Sequence, residues 1–319
     1  MLLSSDRFVR FAGQKRAKGI DFTLDRQIAA ALEYQRVMKM PPLESMSPAA
    51  ARKFAQEGLS VTELTPEPMA EVIDTTAGGV PVRVFVPHGA SKNWIVYLHG
   101  GGGVIGSVKG SEPVTRYLAS HTRCTIASVD YRLGPEHPHP AAVEDSFAAW
   151  TELVKRVPAG GSVAVAGDSF GGYLAAQVDH LSRARGVRQP DVQGLIYPLI
   201  DMTLTSPSID KFALGYLLTK PTMLFFRDHY LGSHDQRAAS PKFWPSVAGA
   251  APAIVVTAGF DPLVDEGDAW ADRLRGEGIT VRHRRHPSLV HGFLSLAGAI
   301  RAARTAVDQL VTDLVEMMD

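Results

Sequence analysis

Apolar and polar positions follow two different rhythms along the chain. From about residue 66, short apolar runs recur, separated by segments whose apolar residues have helical spacing. Residues 94–98, 124–130, 163–166, 192–198, 253–258 and 279–285 read as strands. Residues 112–122, 141–157, 173–184, 263–276 and 299–317 read as the helices between and after them. Residues 71–77 and 80–87, joined by Gly78-Gly79, predict a leading β-hairpin in which Val82, Val84 and Val86 alternate with Arg83 and Phe85. This order predicts an α/β fold: an eight-stranded, mostly parallel sheet with helices on both faces.

Two stretches break the rhythm. Residues 1–65 carry helical spacing and no strand pattern. A helix over 24–40 stops at Pro41-Pro42, and a second starts at Ser47-Pro48 and ends at Gly58. Residues 201–252 are too many for an ordinary loop and carry their own helix, about 221–231, rich in Met223, Phe225, Phe226 and Tyr230. Together the two stretches are expected to cap the carboxyl ends of the strands, where ligands bind in such sheets. The expected organisation is a cap part at 1–65, core at 66–200, a cap insertion at 201–247, and core again at 248–319.

Composition narrows the function classes. Hydrophobic residues make up 45% of the 319, and 33 basic side chains balance 33 acidic ones. A net charge of zero leaves no basic footprint for nucleic acid and no polybasic membrane surface. The one cysteine, Cys124, sits in an apolar run, which excludes an internal disulfide and fits a reducing compartment. Charges interrupt the N-terminus before a signal-peptide core can form, and no apolar run approaches the roughly 20 residues of a membrane span. A cytoplasmic location is expected. No Cys, His and carboxylate grouping has metal-ligand spacing.

The chemistry gathers at strand ends. The run 163–166 leads into Gly167-Asp168-Ser169-Phe170-Gly171, the spacing of a nucleophile elbow, where a sharp strand-to-helix turn exposes a serine hydroxyl. Glycines two residues either side of Ser169 avoid a Cβ clash between strand and helix. Upstream, His99-Gly-Gly-Gly-Gly-Val-Ile-Gly106 can turn backbone N–H groups onto one point, as an oxyanion hole requires. The same glycines also satisfy a dinucleotide fingerprint, Gly101-x-Gly103-x-x-Gly106, with Asp130 ending the next strand. That alternative needs a helix opening at Gly106, whereas Gly110 and Pro113 predict a start about two turns later. It also leaves Ser169, Asp261 and His291 idle.

Downstream, Asp261 follows one strand and His291 follows the last. Asp261 is the expected acid, with Asp265 in reserve, although both could simply cap a helix. His291 is the expected general base, ahead of His286 and His99. The chain order Ser169, Asp261, His291 is that of an α/β-hydrolase. The run His283-Arg-Arg-His286 reads as a charged edge strand.

Several motifs in order then resemble the bacterial hormone-sensitive-lipase-like esterases of the α/β-hydrolase superfamily, over nearly the whole chain. They are His99-Gly-Gly-Gly102, Asp130-Tyr-Arg-Leu-Gly-Pro-Glu-His137 with Pro140-Ala-Ala-Val-Glu-Asp145, and Gly167-Asp-Ser-Phe-Gly-Gly172. Ala239-Ser-Pro241, Gly259-Phe-Asp-Pro-Leu-Val-Asp-Glu266 and His291-Gly-Phe293 follow. The resemblance implies a serine carboxylesterase with Ser169 as nucleophile, Asp261 and His291 completing the triad, and oxyanion donors at Gly101, Gly102 and Phe170. It implies a small-molecule ester of short-to-medium acyl length as substrate, and no cofactor. His99 and the 130–145 segment become structural supports.

Two positions depart from the family pattern: Gly103, where an aromatic is usual, and Phe170, where alanine is usual. Phe170 is expected to replace the wall area lost at Gly103 and narrow the acyl side. Gly103, Phe212, Leu217 and Leu218 are the pocket candidates. The same triad would also serve an acyltransferase, amidase or lactonase. A non-catalytic small-molecule receptor on this fold is the alternative from another class, but such relatives characteristically lose a triad member. A homodimer through the last strand and its neighbouring helix is conceivable, with Arg282, Arg284 and Arg285 at that edge counting against it.

Overall fold

The computed structural model describes residues 23–58 and 62–319. The expectations for residues 1–22, including the interrupted signal core, lie outside the described residues.

The sheet forms as the alternating pattern requires. The hairpin β1 (Glu71–Ala77) and β2 (Val80–Val86) is antiparallel, and β2 pairs antiparallel with β4 (Thr125–Val129). The remaining neighbours run parallel: β3 (Trp94–Leu98) between β4 and β5 (Val163–Asp168), then β6 (Val192–Ile196), β7 (Ala253–Phe260) and β8 (Val281–Val290). The spatial order is β1-β2-β4-β3-β5-β6-β7-β8, eight strands among the described residues.

Central strands are buried along nearly their whole length because both faces are covered. In β3, Ile95 and Tyr97 enter one buried cluster while Val96 and Leu98 enter the other. The first face is covered by α3 (Val108–Thr122), through Leu118, and by α9 (Arg301–Met318), through Val307 and Leu314. The second is covered by α4 (Ala141–Leu153), α5 (Phe170–Arg185) and α8 (Val264–Gly276), through Trp150, Leu174 and Trp270.

The other helices gather over the strand ends. They are α1 (Arg26–Val37) and α2 (Pro48–Gly58) before the sheet, and α6 (Pro207–Lys211) and α7 (Lys220–Leu231) in the insertion. Polar contacts tie them together. Arg52 of α2 donates to the carbonyls of Val104 (2.8 Å) and Gly134 (2.7 Å), and Thr222 of α7 donates to Glu44 (2.8 Å). Among the described residues, no helix is long and apolar enough to cross a membrane.

Two expectations are corrected. Helix α3 starts at Val108, two residues after Gly106, rather than two turns later. The Ser107 hydroxyl caps it by accepting from the Gly110 N–H at 3.0 Å, and the helix tolerates Pro113 inside it. Strand β8 runs on to Val290, which brings its end directly to His291. Its charged edge is occupied from within: Arg282 and Arg284 both pair with the buried Asp313 of α9, at 2.8 and 2.7 Å, and Arg285 pairs with Asp268 at 3.1 Å.

Candidate active site

The elbow is built from backbone crowding. Ser169 sits between β5 and α5 at φ 57°, ψ −115°, a conformation that costs a non-glycine residue energy. The end of β6 and the segment after it hold it there: its N–H donates to Ile196 (2.8 Å), and its carbonyl accepts from Leu199 (3.1 Å). A Cβ on Gly171 would stand 1.9 Å from the Leu98 carbonyl oxygen, and one on Gly167 would stand 2.4 Å from the Gly171 backbone. The flanking glycines are therefore a packing requirement.

His291 reaches the serine from the end of β8. Its Nε2 lies 2.9 Å from Ser169 Oγ, and its Nδ1 lies 2.9 Å from Asp261 Oδ2. Asp261 leaves β7 fully buried, and its other oxygen accepts from the Leu263 N–H at 2.8 Å. Tyr197 packs on the imidazole, with ring centroids 4.7 Å apart. The reserve acid is engaged elsewhere, since Asp265 accepts from the Ser208 N–H at 2.8 Å. Neither His286 nor His99 bonds Ser169. His286 packs against Phe293, and His99 lies beneath the glycine loop.

The glycine loop is braced from below. His99 Nδ1 lies 2.8 Å from the Gly100 carbonyl, and its ring stacks on Tyr131 at 4.3 Å. The Tyr131 hydroxyl bonds the His99 carbonyl at 2.5 Å. Burial holds the His99 imidazole below its ordinary pKa, which favours the neutral form in this brace. Gly134 donates to the Gly103 carbonyl at 2.8 Å, and Arg132 pairs with Asp145, so the 130–145 segment does support the loop. Gly101, Gly102 and Gly103 all have positive φ, at 121°, 63° and 72°. Among the described residues, no protein acceptor bonds the N–H groups of Gly101 or Gly102. The Phe170 N–H opens α5, where the first helical donors have no intrahelical partner.

A cleft of about 840 Å³ opens onto Ser169, His291 and the glycine loop. Leu217 and Leu218 line it as expected, together with Met223, Phe226 and Tyr230 of α7 and Phe54 of α2. Gly103 and Phe212 do not line it. Phe212 is buried against Phe260 and Tyr216, at 5.9 and 5.5 Å. A Cβ on Gly103 would meet Tyr230 at 2.7 Å and Phe170 at 2.8 Å, so those two rings fill the space.

Phe170 is fully buried among Tyr131, Tyr173 and Tyr230, with no face on the cleft. It does replace volume at Gly103, but Tyr230 forms the wall. The expectation that its side chain narrows the acyl side is corrected accordingly. The insertion rings also remove the dinucleotide reading after the early start of α3 had reopened it. Phe226 lies on Gly102 and Tyr230 on Gly103, where a pyrophosphate would have to approach.

Two contacts with the glycine loop escaped the sequence reading. Asp168, inside the elbow motif itself, accepts from Tyr97 Oη (2.8 Å) and the Gly100 N–H (2.9 Å), fixing the loop to the elbow. Burial raises its pKa, and the donors Tyr97 and Gly100 oppose that shift. Phe226 and Tyr230 stand four apart on α7, a spacing that marks one helix face. Only the fold shows that this face meets the glycine loop.

The chain was compared with known proteins. A family model described as alpha/beta hydrolase fold matches residues 95–295. Carboxylic ester hydrolase LipN of Mycobacterium tuberculosis is 34% identical over 312 residues, covering 92% of this chain and 82% of that protein. Ethyl acetate hydrolase of Pseudomonas putida is 32% identical, covering 88% of this chain and 92% of that protein. Among solved structures, ester-hydrolase EH1AB1 from the metagenome of Lake Arreo superposes with a TM-score of 0.86 at 34% identity, covering 92% of this chain and 98% of that one.

Proposed function

The chain belongs to the hormone-sensitive-lipase-like branch of the α/β-hydrolase-fold family, and we propose that within it the protein is a serine carboxylesterase working through an acyl-enzyme on Ser169. Carboxylic-ester hydrolysis is the activity carried by the names of its full-length relatives. The observation that carries the residue assignment is the continuous relay Ser169 Oγ–His291 Nε2–Asp261, with both links at 2.9 Å.

The relay supports one proton inventory. His291 Nδ1–H donates to Asp261, leaving Nε2 to accept the Ser169 proton as the hydroxyl attacks the ester carbonyl. The developing oxyanion is held by the N–H groups of Gly101, Gly102 and Phe170, which have no competing protein acceptor to leave. Asp261, buried and anchored by Leu263, stabilises the imidazolium that forms. His291 then protonates the departing alcohol and afterwards takes a proton from water, which releases the acid and restores Ser169.

The apolar cleft supports short-to-medium acyl chains as substrates, with α1, α2 and the insertion serving as its cap. The deciding experiment combines a fluorophosphonate label with turnover of p-nitrophenyl esters. The label should sit on Ser169, and Ser169→Ala should lose at least about ten-thousand-fold in kcat with its fold intact. Wild-type turnover in Ser169→Ala, or a label on another residue, would refute the assignment.

A further inference from the structure

Among the described residues, the charged side chains lining the cleft are paired within the protein, with one exception. Glu33 meets Arg36, Glu44 meets Thr222, Arg52 meets Glu136, Arg227 meets Asp228, and Asp168 meets Tyr97. Glu63 also lines the cleft, and among the described residues its carboxylate has no partner. It is partly buried, and burial raises its pKa, with no cation among the described residues to offset the cost. An unpaired carboxylate withdrawn from water attracts a cation more strongly than one on open surface.

The position of Glu63 says which part of a substrate it would meet. Gly298 donates to the Thr62 carbonyl at 3.0 Å, and a Cβ on Gly298 would strike the Glu63 carbonyl oxygen. Residues 62–63 therefore abut the segment that follows His291, of which Gly292, Leu294 and Ser295 also line the cleft. His291 must protonate the departing alcohol, so the alcohol portion of the ester lies along this wall.

Resting on the esterase reading above, we propose that Glu63 selects esters whose alcohol portion carries a positive charge, such as an amino alcohol or a quaternary ammonium alcohol. Leu217, Leu218, Met223 and Phe226, which also line the cleft, are apolar and offer a cation nothing comparable.

Two esters of one acid test this: butyrylcholine, and its neutral isostere 3,3-dimethylbutyl butyrate. Expected is a kcat/KM ratio that favours the cation in the wild type and falls on the order of tenfold in Glu63→Gln, and further in Glu63→Lys. The neutral ester should lose less than the cationic one in Glu63→Gln, since it carries no charge for the carboxylate to meet. Residue 63 carries the comparison, because the two alcohols differ slightly as leaving groups in any enzyme. A ratio indifferent to both substitutions would overturn the proposal. Calorimetric titration of the Ser169→Ala protein with the same two esters separates the two readings. If butyrylcholine binds better and the preference vanishes on adding Glu63→Gln, charge selection stands even where turnover fails. Equal binding of the two esters by the Ser169→Ala protein sinks it.

Discussion

Phe226 lies directly over Gly102: a Cβ on Gly102 would stand 2.3 Å from the Phe226 Cγ. The insertion helix thus rests on the loop proposed to hold the oxyanion, at a residue whose φ is 63°. Gly102→Ala has to displace the ring and adopt a left-handed backbone at once. Its kcat should fall roughly a hundredfold, the usual cost of one misplaced oxyanion donor. Phe226→Ala should lower kcat more than it raises KM, because it frees the loop without touching the triad. Steady-state kinetics on p-nitrophenyl butyrate reads both. Equal kcat in wild type and Phe226→Ala would separate the helix from the loop.

The elbow glycines give a sharper contrast. At Gly171 the obstacle is the Leu98 backbone, 1.9 Å from a new Cβ, and neither strand nor helix can retreat. Gly171→Ala should fail to give soluble folded protein. Gly186, unlike the helical Gly171, has a positive φ, 64°, but a Cβ there meets nothing within 4 Å. Gly186→Ala should cost only about 1–2 kcal/mol, seen as a modest drop in Tm. Comparable losses in the two variants would show that the Leu98 contact does not govern the elbow.

Phe170→Ala should act through packing. The ring is fully buried and packs on Tyr131, Tyr173 and Tyr230. Its removal leaves a cavity beside Gly103 and should cost about 3–5 kcal/mol by chemical denaturation. Acyl-length preference should shift only as far as Tyr230 relaxes into that space. Tyr230→Phe, which keeps the ring on Gly103, should leave the preference unchanged.

These three sites mark where the sequence was legible and where it was not. Strand positions could be read because apolar runs such as Trp94–Leu98 are buried on both faces, a demand that admits few polar residues. The elbow and its partners could be read because Ser169, Asp261 and His291 each follow a strand, and strand ends converge in a parallel sheet. Helix α3 starts earlier than Gly110 and Pro113 predict because the Ser107 hydroxyl caps it and Pro113 is tolerated inside it. Phe170 was misassigned because motif spacing places its backbone but not its ring. That ring turned away from the cleft because Gly103 left room for it, a relation between residues 67 apart in sequence. Glu63 carried no signal at all, since only the packing of residues 62–63 against Gly298 places it on the His291 wall.

Glu266 gives a prediction about pH. It is buried at the N-terminal end of α8, where Oε1 accepts from the N–H groups of Ile200 (2.6 Å) and Asp201 (3.1 Å). Its other oxygen has no partner among the described residues. Burial raises its carboxyl from an ordinary 4.5 to about 8; the two N–H donors pull against this, and the nearby carboxylates of Asp201 and Asp261 add to it. The folded state therefore holds this proton more tightly than the unfolded chain does. The corresponding stabilisation is fully present below 4.5 and is lost as pH rises through about 8. Glu266→Gln cannot ionise and lacks this dependence. Denaturant unfolding of both proteins across that window should show wild type losing stability relative to the variant by a few kcal/mol as pH rises. Groups common to the two proteins cancel in the difference. A difference that stays flat would mean that Glu266 is already ionised at the acid end of the window, with its lone oxygen solvated.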